Sequence, residues 1–125
     1  MKILGIDWGE AKIGLALANG PLAEPWKVIR YQDDKELLED LKKIIQEQGI
    51  EEVVVGISEG LSGQKAQEFG NGLRQVLEIK VNFGDETLTT HRAQQLAKKG
   101  QDEDAIAAAF MLEEYLENRK FDQLA

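Results

Sequence analysis

Apolar positions in this chain fall into short runs with two different periods. Residues 2–8 are apolar and partly β-branched up to Asp7, which predicts a strand. A turn at Trp8-Gly9-Glu10 follows, and in residues 11–18 Ile13, Leu15 and Leu17 alternate with smaller side chains as a second strand. So short a connection predicts an antiparallel hairpin. Asn19-Gly20-Pro21 is a further turn signal, and residues 26–31 predict a third strand. From Asp33 the period changes. Leu37, Leu38, Leu41, Ile44 and Ile45 form one helical stripe, Asp33 is placed to cap it with Glu36 three residues on, and Gly49 ends it. Val53-Val54-Val55-Gly56-Ile57 then reads as a strand buried on both faces. Residues 64–77 predict a helix with Ala66, Phe69, Leu73 and Val76 inward, although Gly70 and Gly72 oppose it. Ile79, Val81 and Phe83 alternate as a fifth strand. Thr89 or Thr90 is placed to cap a short helix through Lys98, and Asp102 a final helix to about Asn118.

Three consecutive strands followed by helix, strand, helix, strand and two helices predict an α/β fold, a mixed sheet flanked by helices. No repeat, linker or low-complexity stretch divides residues 1–125, so a single domain is expected. No stretch is long enough for a membrane span, and the opening Lys2-Ile3-Leu4-Gly5 lacks a signal-peptide layout, so a cytoplasmic location is expected.

Composition then narrows the chemistry. The chain has no cysteine and one histidine, His91, which excludes thiolate and poly-histidine metal sites. Any bound metal must take mainly carboxylates, which favours Mg²⁺ or Mn²⁺. The formal net charge of −8 runs against a general nucleic-acid binder. A local basic patch would have to draw on Lys12, Arg74, Lys80, Arg92, Lys98 and Lys99, which serve equally well as scattered solubilising charge.

Three carboxylates stand out by position. Asp7 ends the first strand between Gly5 and Gly9. Asp85-Glu86 follow the fifth strand. Asp104 opens the last helix, with Ala107, Ala108 and Met111 on its own stripe, so it faces the core. Each also has an ordinary explanation, as a turn former or as a helix-dipole partner. Together they fit two-metal phosphodiester hydrolysis, in which two ions about 3.5–4 Å apart activate water and stabilise the leaving oxygen.

The order of these motifs resembles a known family. Gly5-Ile6-Asp7-Trp8-Gly9 with Lys12-Ile13-Gly14-Leu15-Ala16 looks like the opening motif of the YqgF/RuvX Holliday-junction resolvases. Val54-Val55-Gly56-Ile57 with Gly63, Asp85-Glu86-Thr87-Leu88-Thr89-Thr90 with Ala93, and Asp104-Ala105-Ile106-Ala107-Ala108 with Tyr115-Leu116 match its later motifs, in order, over essentially the whole chain. The resemblance implies an RNase H-like fold, with sheet order 3-2-1-4-5 and strand 2 antiparallel. It implies a metal-dependent nuclease that processes the 5′ end of pre-16S rRNA or resolves branched DNA. Monomer and homodimer both stay open, since a symmetric junction favours a two-fold dimer and processing of one RNA end does not. Asp7, Glu86 and Asp104 take the acidic positions as catalytic residues and metal ligands. Lys12, Thr87, Thr89, Thr90 and Arg92 fall on the substrate side.

The chain also departs from that pattern. Thr87 stands where the family usually has Arg, and Glu10-Ala11-Lys12 replace Thr, Lys and Arg. Glu59, a carboxylate after the fourth strand, is off the usual place. These changes remove positive charge from the expected substrate face. Two competing readings follow. One is a non-catalytic nucleic-acid-binding module on the same fold. The other is a nucleotide-binding domain of the actin and sugar-kinase type, whose first phosphate motif looks similar but which closes two domains around ATP.

Overall fold

The computed structural model describes residues 1–57, 61–85 and 103–124. Its elements are β1 (Ile3–Asp7), β2 (Lys12–Ala18), β3 (Ala23–Arg30), α1 (Asp34–Gln48), β4 (Glu52–Ile57), α2 (Leu61–Val76), β5 (Lys80–Asp85) and α3 (Glu103–Leu124). The strands form one sheet in the order β3-β2-β1-β4-β5. β2 runs antiparallel to β1 and β3, while β4 is parallel to both β1 and β5. This is the sheet expected from the family resemblance.

Strand alternation divides the sheet into two packed faces. Leu4, Ile6, Ile13, Leu15, Val53, Val55 and Val81 pack with Leu37, Leu41, Ile44 and Ile45 of α1 and Ala66 and Leu73 of α2. Ile3, Ala16, Ala18 and Val54 pack on the other face against Ala108, Met111 and Leu112 of α3. The second face carries small residues, so α3 lies close to the strands. A β-carbon on Gly5 would meet Leu112 Cβ at 3.1 Å.

The helix caps follow the expectation. Asp33 accepts from Lys35 N–H at 3.1 Å, and Gly49 closes α1 with φ 67°. Ile50 N–H reaches back to the Ile45 carbonyl at 3.0 Å, a Schellman closure.

Three boundaries and one face differ from the sequence reading. β3 starts at Ala23, ahead of Pro25. Proline is tolerated because β3 is an edge strand with a register shift between Leu15 and Ala16. Glu113 of α3 also accepts the Ala23 N–H at 3.0 Å, which fixes that start. α2 begins at Leu61 and α3 runs to Leu124, both longer than predicted. Val76 is 47% exposed and not inward. The buried stripe instead turns through Gly70 towards Leu77, because Phe83 occupies the space beside Gly70. A β-carbon there would lie 2.4 Å from the Phe83 ring. The proposed short helix from Thr89 or Thr90 to Lys98, and Asp102, lie outside the described residues. No described helix is long and apolar enough to cross a membrane.

Candidate active site

The carboxyl ends of β1, β4 and β5 share one edge of the sheet, where open α/β sheets bind ligands. Asp7 is the last residue of β1. Its ladder partners are Gly14 on β2 and Gly56 on β4, and Gly56 pairs in turn with Gly84 on β5. Asp7 therefore lies in a cross-strand row with three glycines. It shares its face with Gly5, the face covered by α3.

Gly14 also sets the position of Asp104. A β-carbon on Gly14 would fall 2.1 Å from the Asp104 carbonyl oxygen and 2.7 Å from Ala105 N. The first turn of α3 thus rests directly on the strand residue paired with Asp7. Ala107, Ala108 and Met111, on the same stripe, are buried as expected. Asp104 Oδ2 is shut off from solvent and lies 2.8 Å from Lys12 Nζ. Lys12, read from sequence as a substrate contact, is at this acidic edge and ion-paired to one of its carboxylates.

The donor chemistry of this edge fits a hard divalent cation. Asp7 and Asp104 offer only oxygen, and a cationic ammonium already sits on Asp104. Among the described residues no three acidic or histidine side chains form a group that would hold an ion by themselves. Glu86, the third expected carboxylate, lies outside the described residues, as do Glu59, Thr87, Thr89, Thr90, His91, Arg92, Lys98 and Lys99. Asp85 ends β5 and is exposed.

Behind Asp7 the β1–β2 turn is tied down. Tyr31 donates its hydroxyl to the Gly9 carbonyl, and its own N–H reaches Ala11 O at 3.1 Å. Burial raises the Tyr31 phenol above its ordinary value, helped by the negative charges of Asp34 and Glu10. Lys65 of α2 crosses to Glu10 in the turn. That hydrogen bond and charge hold the Glu10 carboxyl below the usual value. Arg74, another candidate for a basic patch, is used structurally. It donates to Val81 O at 2.8 Å and lies 4.8 Å above the Phe83 ring.

A second polar cluster was not legible from the sequence. Glu52, at the start of β4, is buried and accepts from Asn82 at 2.8 Å, Tyr115 at 3.1 Å and Arg119 at 2.5 Å. Burial pushes its carboxyl up, but the hydrogen bonds from Arg119, Asn82 and Tyr115 outweigh it and hold the pKa below the usual range. Burial and the Glu52 charge raise Tyr115. The cluster clamps the later part of α3 to the sheet at the end opposite Asp7. The one sequence signal was a charged residue heading an otherwise apolar strand.

Comparison with known proteins agrees with this architecture. The family profile described as "RuvX: Holliday junction resolvase" matches residues 1–118. A protein of Caldanaerobacter subterraneus subsp. tengcongensis, described as "Putative pre-16S rRNA nuclease", is 34% identical over 137 residues, covering 96% of this chain and 99% of its own. A Clostridium botulinum protein of the same description is 35% identical over 133 residues, covering 94% and 97%. Among solved structures, T. thermophilus RuvC in complex with a Holliday junction substrate aligns with a TM-score of 0.66 at 16% identity, over 96% of both chains. Fowlpox virus resolvase with its Holliday junction DNA aligns at 0.60 and 16% identity, over 94% and 98%. At such identity the structural likeness speaks to the fold.

Proposed function

The chain belongs to the RuvX Holliday junction resolvase family, and from that premise we propose that it is a metal-dependent endonuclease for structured nucleic acid, with pre-16S rRNA as its substrate before branched DNA. The observation that carries this reading is the pairing of Asp7 with Gly14 and Gly56 at the strand ends, with the first turn of α3 seated on Gly14. The curated relatives named above favour RNA over a DNA junction.

In this reading Asp7 and Asp104 hold Mg²⁺ or Mn²⁺, and Glu86, two residues after Gly84, supplies the third carboxylate. The metal, when bound, activates water and offsets charge on the leaving oxygen. The protein residues supply position. Gly14 and Gly84 let α3 pack close against the strands beside Asp7. Gly14 fixes the approach of Asp104, and Tyr31 holds the turn that follows Asp7. Lys12 keeps Asp104 neutralised and is near enough to move to a substrate phosphate. Thr87, Thr89, Thr90 and Arg92 follow Glu86 and are proposed to line the substrate side. One domain suffices for cutting a single RNA end, whereas a symmetric junction would require a two-fold dimer.

The test is cleavage of structured precursor RNA and of four-way junction DNA in Mg²⁺ and then Mn²⁺. RNA cleavage that needs a divalent ion supports the proposal. Binding of both substrates without cleavage of either would support the non-catalytic module.

A further inference from the structure

The residue after Asp7 turns to the opposite face of the sheet. Trp8 packs partly buried on the α1–α2 side, and its ring centroid lies 6.4 Å from that of Phe69 at an interplanar angle of 37°. Between α1 and α2, these two rings and Leu38 wall an open cleft of about 370 Å³. Asp34, Glu68 and Lys65 supply its polar lining. Lys65 is neutralised by Glu10, so the remaining charge at the cleft is that of two carboxylates.

Gly72 completes the lining and is otherwise unexplained. Glycine in a helix interior is unfavourable relative to alanine. Gly70, two residues earlier, has a packing reason in Phe83, but a β-carbon on Gly72 would meet nothing within 4 Å. Its absent side chain leaves the cleft open.

We infer that this cleft receives an unpaired guanine of the nucleic acid whose backbone lies at Asp7. The inference rests on the nuclease reading above. A lining that carries two aromatic rings suits a base, since unstacked bases are commonly held on aromatic side chains. A net acidic lining disfavours phosphate and favours a ligand edge made of donors. Guanine presents adjacent N1–H and N2–H donors, which one ionised carboxylate accepts together. Asp7 and Trp8 are consecutive, so a strand crossing the sheet edge brings a phosphate to one side and a neighbouring base to the other. Recognition through base donors also suits a chain of net charge −8.

The experiment uses Trp8 as its own reporter. The chain has two tryptophans, so Trp26→Phe leaves Trp8 alone. In EDTA, to prevent cleavage, this protein is titrated with an RNA hairpin carrying one unpaired guanine, and with matched hairpins carrying adenine or an abasic site. The guanine hairpin should quench Trp8 and bind roughly tenfold more tightly than the abasic one. Gly72→Leu should abolish the quench and the preference while melting no earlier than the parent. If Gly72→Leu melts early, Trp8→Ala, followed by anisotropy of a labelled hairpin, must erase the preference in its place. Equal binding of all three hairpins, or a preference that survives these variants, would overturn the guanine cleft and leave the nuclease reading intact. Failure to bind any hairpin would overturn both.

Discussion

The backbone of Asp104 occupies the place that a side chain on Gly14 would need, with its carbonyl oxygen 2.1 Å from an ideal β-carbon. Gly14 is also the ladder partner of Asp7. One glycine thus brings a strand-end carboxylate and a helix-start carboxylate to the same edge, 97 positions apart in sequence (104 − 7).

Gly14→Ala is therefore expected to lift the first turn of α3. Overpacking of this kind costs about 1–3 kcal/mol, read by urea denaturation. Cleavage should fall further than stability does, when assayed where both proteins are fully folded. Full activity would show that the seating of Asp104 on β2 is dispensable.

Lys12 and Asp104 are partly exposed, so their ion pair contributes no more than about 1 kcal/mol to stability. Lys12→Met should leave the melting temperature almost unchanged. Removing the competing cation should tighten Mn²⁺ binding in calorimetry, while the salt dependence of RNA binding flattens by about one phosphate contact. Unchanged metal affinity would separate Lys12 from the metal site.

The Glu52 cluster predicts an acid-sensitive fold. Its folded pKa lies below the ordinary value of 4.5, so the unfolded chain binds the extra proton. This contribution is complete above that value and is lost as pH falls through the folded pKa. Glu52→Gln should flatten the dependence of stability on pH in that acidic window. Arg119→Met leaves a buried carboxylate without its cation and should cost about 3–5 kcal/mol by urea denaturation at neutral pH. A small loss for Arg119→Met, or an unaltered acid profile for Glu52→Gln, would contradict the clamp.

Thr87 stands where the family usually has arginine. Thr87→Arg should tighten RNA binding and steepen its salt slope by about one phosphate contact, with little change in base preference. Titrations at several salt concentrations in a cleavage-dead background measure both. An unchanged slope would place position 87 away from the substrate.

The sheet was legible because its strands carry period-two patterns and its first helix a full apolar stripe with both caps. Proximity in space was less legible. Periodicity turned Asp104 inward, but only the register puts Gly14 between it and Asp7. Val76 was misassigned because Phe83, from another element, decides which face of α2 can approach the sheet. Pro25 concealed the start of β3, since a local rule against proline in strands gives way at an edge. Glu52 was missed because its partners Asn82, Tyr115 and Arg119 lie 30, 63 and 67 residues away. Gly72 looked like a weak point in a helix until its surroundings showed open space.

The central claim is that Asp7 anchors a metal-dependent cleavage site. Asp7→Asn keeps the shape of the side chain and removes the charge that holds the cation. Its cleavage rate on structured precursor RNA in Mg²⁺, compared with the unaltered chain at equal folded concentration, is the most direct measurement. The account predicts a loss larger than the roughly 100-fold that follows removal of a ligand's supporting hydrogen bond, with RNA binding in EDTA retained. Equal cleavage by both proteins, after exclusion of contaminating nucleases, would contradict it.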